Sequence, residues 1–267
     1  MNTKFLITAD SNRSALLKKK IIHYYIANGD ATIAELCKEM DLSIPTVTKL
    51  VGELLDDGYI LDFGKQETNG GRKPNIYGLN PVSGYFVGVD VFRSKINIAA
   101  VDFKGDKLRI EENIPYSLEN TPEALEMLCN LINDFIDRLS VPREKVLAVG
   151  VNISGRVNPV SGYSYSIFYF EEKPLSQILE ERIKIKIYIE NDTRAMMYGE
   201  YMQGVVKGEK NILFINMGWG LGLSIFINGE LYYGKSGFSG EFGHFCFFDN
   251  EILCHCGKKG CIETEAS

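Results

Sequence analysis

Two stretches of this chain share one form, and that echo limits the possible folds more than any other feature. YFVGVDVFRSKINIAAVDFKGDKLRI, from Tyr85, reads as strand, turn, strand, turn, strand, with its second turn at Lys104-Gly105-Asp106. NILFINMGWGLGLSIFINGELYYG, from Asn211, repeats the form: a strand over Ile212–Asn216, a Gly-rich turn, a strand over Leu223–Ile227, and Asn228-Gly229 opening a third. Between them the pattern predicts a helix over Pro122–Leu139, a strand over Val146–Asn152 and an irregular Tyr-rich segment. A short helix over Pro174–Arg182, a strand over Ile185–Glu190 and a helix over Thr193–Gln203 follow. Strands mixed with helices and opened twice by the same hairpin predict an α/β protein of two similar lobes. Binding sites in such folds sit in the cleft between lobes.

The first 80 residues follow a different pattern. SALLKKKIIHYYIAN (Ser14–Asn28) sets Leu17, Ile21, Tyr24, Tyr25 and Ile26 near helical spacing, with Gly29 as a stop. TIAELCKEM places Ile33, Leu36, Cys37 and Met40 on one face, and Thr32 and Glu35 have the spacing of a capping box. Ser43 is positioned to cap a third helix running to Leu55, with Pro45 in its first turn and Val47, Leu50, Val51, Leu54 and Leu55 facing inward. Three helices with a tight turn between the last two form a helix-turn-helix. Two short strands, Gly58–Phe63 and Asn75–Leu79, then flank the loop GKQETNGGRKP, which makes the unit a winged helix. The third helix of such a unit leads into a major groove with its N-terminal residues, here Ser43, Thr46, Thr48 and Lys49. Arg72 and Lys73 at the glycine-rich wing tip are placed to reach flanking phosphates or the minor groove.

Charge alone does not carry this reading. The chain has 29 Lys+Arg against 35 Asp+Glu, a net charge of −6; residues 1–80 hold 10 of each sign, and the remainder 19 against 25. The first segment is more basic than the rest without being basic outright, so the case for double-stranded DNA rests on pattern. At 45% hydrophobic and 24% charged, the composition is that of a soluble globular protein and excludes disorder. No apolar run approaches the ~18 residues of a membrane helix, and Met1–Asp10 lacks the order of a signal peptide, which predicts a cytoplasmic location and no membrane partner.

Of six cysteines, Cys37 and Cys129 lie apart in helical patterns and read as small core residues. Cys246, Cys254, Cys256 and Cys261 crowd one stretch together with His244 and His255, an arrangement that points to a metal rather than to disulfides. Cys254 and Cys256 can share one ion, the glycines of Gly257-Lys258-Lys259-Gly260 let the backbone turn around it, and Cys261 closes from the other side. His244, ten residues before Cys254, completes a Cys3His tetrahedron, leaving Cys246 and His255 as neighbours. A filled tetrahedron is a structural zinc site without an activated water.

EFGHFCFFDNEILCHCGKKGCIETEAS resembles the signature of the ROK family of sugar-responsive repressors and sugar kinases: Glu-x-Gly-His followed by Cys-x-Cys-Gly-x-x-Gly-Cys-x-Glu. IENDTRAMMYGE (Ile189–Glu200) resembles the family's Glu-Asn-Asp segment, and the winged helix marks its repressor branch. The resemblance implies a winged helix over residues 1–80, then an actin-like, hexokinase-like ROK domain over 81–267. It also implies that the histidine matching His244 is the fourth zinc ligand, and that Asn191, Asp192, Glu241, His244 and Glu263 bind a sugar or sugar phosphate. Gly155, in NISGRVNPVSG, matches a glycine-bearing loop near the sugar. In the related kinases the aspartate matching Asp192 is the general base; in a repressor it is a hydrogen-bond acceptor, a role compatible with its position to cap the helix from Thr193.

Two departures from the family bear on function. Where kinases place Gly-x-Thr after an aspartate to hold phosphate, this chain has Asp90-Val91-Phe92-Arg93-Ser94-Lys95, whose side chains disfavour such a turn. Gly218, Gly220 and Gly222 remain in the second turn, where they equally serve a hairpin. The expectation is therefore a ligand sensor rather than an enzyme, with a sugar kinase bearing a DNA module as the alternative. Helix-turn-helix proteins read paired half-sites, which implies a homo-oligomer, a dimer or tetramer. The second departure is that the sequence stops at Glu265-Ala266-Ser267, where family members continue: either the gene product is truncated or this is part of a longer protein, and for a whole natural chain an incomplete second lobe with an exposed apolar edge is expected.

Overall fold

Asn12 starts the first helix, α1 (Arg13–Asn28), by accepting from the N–H groups of Ser14 (2.7 Å) and Ala15 (3.3 Å). Gly29, at φ +79°, ends it by donating to the Tyr25 carbonyl. The structure, a computed structural model, describes residues 12–65 and 74–267. They fall into two compact units: the chain up to Val87 with Ala99–Glu111 and Phe135–Val149, and Gly88–Ile98 with Glu112–Asp134 and Gly150–Ser267.

In the first unit, β1 (Ala31–Thr32) runs into α2 (Ile33–Met40), and α3 (Ile44–Asp56) follows. The capping box forms as its spacing predicts: Glu35 N–H donates to Thr32 Oγ1 (3.3 Å), and Thr32 N–H donates to Glu35 Oε2 (2.8 Å). Two sequence expectations give way here. Ile22 rather than Ile26 joins the buried face of α1, and Ile26 is exposed. Ser43 occupies the N-cap of α3 but gives it no side-chain cap; its hydroxyl pairs with that of Thr46 at 2.9 Å instead.

The wing hairpin is β2 (Ile60–Lys65) and β3 (Asn75–Leu79), and the sheet order is β1-β3-β2. Register runs Ile60↔Leu79, Leu61↔Gly78 and Asp62↔Tyr77, then shifts through a bulge to Lys65↔Asn75. Arg72 and Lys73 lie outside the described residues. Ile21, Leu36, Val47, Leu54, Tyr59, Ile60 and Leu79 form one buried core under the helices, joined by Phe103 and Leu147. Each such side chain contributes about 1.5–3 kcal/mol by leaving water, so the helices are held by their shared floor more than by propensity.

The first echo unfolds as β4 (Tyr85–Val91), β5 (Lys95–Asp102) and β6 (Lys107–Pro115), followed by α4 (Pro122–Asp137). β7 (Val146–Ile153), β8 (Val157–Asn158), β9 (Tyr163–Ser164), α5 (Leu175–Ile183) and β10 (Ile187–Asn191) come next, and the largest sheet has the order β10-β7-β4-β5-β6. α6 (Asp192–Gln203) leads to the second echo, β11 (Ile212–Met217), β12 (Leu221–Ile227) and β13 (Glu230–Leu231), ordered β11-β12-β13. The Asn228-Gly229 turn forms with both residues at positive φ (56° and 83°), the two-residue hairpin its dipeptide predicts. β11 is an edge strand whose outward residues Leu213, Ile215 and Met217 are 68%, 53% and 70% exposed. A 3-10 turn, Phe242–His244, and a short α7 (Glu263–Ala266) complete the second unit.

Candidate functional site

The head of α3 presents Ser43, Thr46, Thr48 and Lys49 to solvent, on the side away from Val47, Leu50, Val51 and Leu54. Lys49 is 78% exposed, its one ion pair among the described residues a 3.9 Å approach to Glu53, so its charge is available. Ile44, 64% exposed, stands at the head of the same helix and was not singled out by sequence.

In the second unit, β10 delivers Asn191 to the start of α6. Asn191, not Asp192, is the N-cap: its Oδ1 accepts from Arg194 N–H at 3.1 Å, while its Nδ2 donates to the Gly155 carbonyl (3.0 Å) and to Asp192 Oδ1 (2.9 Å). Asp192, the first helical residue, accepts from Thr193 N–H at 2.7 Å. These bonds bring Gly155, Asn191 and Asp192 together, with Gly155 at φ +90° over the side chain of Ser166. Burial pushes the Asp192 carboxyl above its ordinary range, opposed by hydrogen bonds from Thr193 and Asn191. Asp90, which sequence reasoning used only as a marker of the phosphate turn, is pushed up to about 6 by burial and by the neighbouring charge of Asp192, against the pull of Lys95.

The hairpin between β11 and β12 ties this group to a second one. Asn216 Nδ2 donates to Thr193 Oγ1 (3.3 Å), and Leu221 N–H donates to Glu263 Oε2 (3.0 Å). A Cβ at Gly222 would stand 2.2 Å from Thr193 Oγ1, and one at Gly220 3.0 Å from Glu263 Oε2. Close packing therefore accounts for those two glycines. Glu263, nearly buried, has Oε1 3.9 Å from His244 Nδ1 and 3.1 Å from His255 Nδ1. His255, left aside at the sequence level, is thus a neighbour of the Glu263 carboxylate. Glu241 begins the 3-10 turn that carries His244, with an exposed side chain.

His244, Cys254, Cys256 and Cys261 offer ligand atoms that all lie within 4.8 Å of one another. Cys254 Sγ is 3.6 Å from His244 Nδ1, and Cys256 Sγ is 3.6 Å from Cys261 Sγ. With metal–sulfur bonds of about 2.3 Å, a tetrahedral edge is roughly 3.5–3.8 Å, so the donor set fits a tetrahedral ion. The thiols are free, and the loop turns at Gly257 (φ +85°) and Gly260 (φ +73°). A Cβ at Gly260 would meet the Phe248 carbonyl at 2.1 Å, where Phe247 and Phe248 N–H both donate to the Gly260 carbonyl. Cys246, exposed, faces Cys261 across a single β-bridge.

A family model described as ROK family matches residues 86–267, and one described as winged helix-turn-helix DNA-binding matches residues 16–60. The xylose repressor of Bacillus subtilis (strain 168) is 29% identical over 256 residues, covering 94% of this chain and 65% of that protein. The DNA-binding transcriptional dual regulator NagC of Escherichia coli (strain K12) is 28% identical over 242 residues, covering 90% and 59%. The chain thus spans less than two thirds of the length of these relatives. Among solved structures, a ROK family transcriptional regulator described as a homolog of E. coli MLC protein superposes with a TM-score of 0.73 at 24% identity, over 100% of this chain and 65% of that one. A ROK family glucokinase from Streptomyces griseus in complex with glucose and AMPPNP gives 0.58 at 29% identity, over 68% and 56%.

Proposed function

Because the chain belongs to the ROK family, we propose that it is a DNA-binding transcriptional repressor of carbohydrate genes that responds to a monosaccharide or its phosphate. The observation that carries this reading is the joining of a winged helix-turn-helix to a ROK domain in one chain, and its similarity to proteins named xylose repressor and DNA-binding transcriptional dual regulator NagC supports it. We place the reading head in residues 1–80 and the sensing domain in 81–267. Ser43, Thr46, Thr48 and Lys49 read the major groove, while Arg72 and Lys73 hold phosphates or the minor groove. Asn191, Asp192, Glu241, His244 and Glu263, with Gly155 beside them, pair the hydroxyls of the sugar. A site that satisfies each hydroxyl rejects analogues lacking one.

Zinc suits the donor set, since three thiolates and one imidazole favour it and fill its tetrahedron. Bound there, zinc supplies structure rather than chemistry. His244, Cys254, Cys256 and Cys261 would hold it, and the closed loop would keep Glu263 in place. In this reading the protein is cytoplasmic and binds its operator as a homo-oligomer. It is not an enzyme, because the turn Val91–Lys95 replaces a phosphate-binding turn with side chains. A ROK kinase reading, with Asp192 as base, keeps a foothold in the glucokinase neighbour.

Selection from a random duplex pool is expected to enrich a paired half-site sequence, and one monosaccharide or sugar phosphate is expected to release it. Arg72→Ala with Lys73→Ala is expected to weaken operator binding and to lower the salt slope by about two per head. No enrichment over random duplex would sink the repressor reading, and sugar-dependent ADP formation from ATP and magnesium would favour the kinase.

A further inference from the structure

Arg194 is 4% exposed, lies in the first turn of α6, and is absent from the donor and acceptor set assigned above. Its Nε donates to Glu190 Oε1 at 2.6 Å, its Nη1 to the Gly237 carbonyl at 2.7 Å, and its Nη2 to the Val157 carbonyl at 2.8 Å. The Tyr233 ring lies 5.2 Å from the guanidinium, and its hydroxyl donates to Glu190 Oε2 at 3.1 Å. Glu190 Oε1 also accepts from Asn191 N–H at 2.6 Å, so the pair reaches the N-cap of α6 directly.

A buried ion pair is a poor source of stability, because apolar residues of the same volume avoid its desolvation cost. What an apolar residue cannot do is hold two carbonyls from distant segments in one plane, which the rigid fork of a guanidinium does. The two carbonyls are well placed for that purpose. Val157 lies two residues beyond Gly155, whose carbonyl is held by Asn191. Gly237 lies four residues before Glu241, in a segment that touches the first: a Cβ at Gly237 (φ +81°) would stand 3.2 Å from Asn158 Cα and from the Val157 carbonyl. Asn158 Nδ2 adds a bond to the Ser236 carbonyl at 3.3 Å.

We propose that Arg194 is a positioning residue of the sugar site, fixing the distance between the head of α6, which carries Asn191 and Asp192, and the segment that carries Glu241, and thereby setting which sugar epimer is accepted. The proposal rests on the sugar-binding reading above. Any shift of one segment against the other moves hydrogen-bonding groups relative to the sugar hydroxyls, and a misplaced polar group is penalised more for the correct epimer than for a loose one.

The test is isothermal titration of the intact protein with D-glucose, D-mannose, D-galactose, N-acetyl-D-glucosamine and D-xylose, alongside melting and metal analysis. Wild type is expected to prefer one sugar over its nearest competitor by about tenfold or more. Arg194→Lys keeps the charge but offers a single ammonium. It is expected to stay folded and keep its metal, to bind the preferred sugar about tenfold more weakly, and to discriminate less than about threefold. Gly237→Ala, which leaves Arg194 intact and wedges the two segments apart, is expected to flatten the preference in the same way. Tyr233→Phe removes only the hydroxyl on Glu190 and is expected to keep it. A merely structural arginine would lower the melting temperature of Arg194→Lys and leave the preference unchanged. The proposal is overturned if folded Arg194→Lys or Gly237→Ala discriminates as wild type does, if Tyr233→Phe flattens the preference equally, or if both of the first two variants fail to fold, which would make the role structural. Wild type binding none of the five sugars and none of their phosphates, titrated in the same way, would instead remove the sugar-binding reading itself.

Discussion

Asp90 is the residue whose protonation most clearly records its surroundings. Its carboxyl is pushed up to about 6, burial contributing most and the charge of Asp192 adding to it. A carboxyl raised in the folded state binds its proton more tightly there than in the unfolded chain. Its contribution to stability is therefore complete below the ordinary value of 3.8 and is lost as pH rises through about 6. Asp90→Asn removes the charge that costs stability above that window. Discounted for the part of the group that solvent still screens, the gain is about 1 kcal/mol, or about 2–4 °C in melting temperature. Melting curves at pH 7.5 and pH 4 are expected to show the variant more stable at the first and equal to wild type at the second. Equal shifts at both values would assign the effect to shape and not to charge.

Local chemistry is what the sequence discloses about elements, and chemistry assembled across distance is what it conceals. The capping box of Thr32 and Glu35 spans three residues, so both partners are visible in one short string, and the structure forms it. The Cys3His donor cluster is legible for the same reason, since three thiols within eight residues and one histidine ten residues earlier are close enough to be counted together. Arg194 escaped because its carbonyl partners lie 37 and 43 residues away, and backbone acceptors have no sequence signature. The helix start at Asn191 was placed one residue late for a subtler reason: Asn and Asp both cap well, and only the bond from Arg194 N–H decides between them. The cluster offers the element's own test. Cys256→Ser removes one of the four proposed ligands, and a three-ligand remnant would hold an ion far less tightly. Metal analysis is expected to find about one equivalent in wild type and none in the variant, with sugar binding lost as the loop that carries Glu263 loosens. One full equivalent retained by the variant would remove this ligand set.

For the molecule as a whole, the proposed function requires that the duplex and the sugar be felt through one another, and thermodynamics fixes how. A ligand shifts an equilibrium only by its differential affinity for the two states, so a sugar that weakens operator binding must itself be bound more weakly by the operator-bound protein, and by the same factor. Couplings of this kind are typically about 5- to 150-fold. The charge distribution makes the measurement clean. The first 80 residues carry 10 charges of each sign and the remainder a net −6, so in the proposed reading non-specific attraction to phosphate is expected to be weak and to rest on a few cations, with Lys49, Arg72 and Lys73 the proposed ones. Titrating the preferred monosaccharide into the protein with and without its selected duplex is expected to show sugar affinity falling in the presence of DNA, by the factor by which saturating sugar reduces DNA affinity at the same salt. A random duplex at the same concentration is expected to leave sugar affinity unchanged. Equal sugar affinity with and without the selected duplex would mean that the two activities share a chain without sharing an equilibrium, and the sugar would then be a ligand of the domain but not the signal that governs transcription.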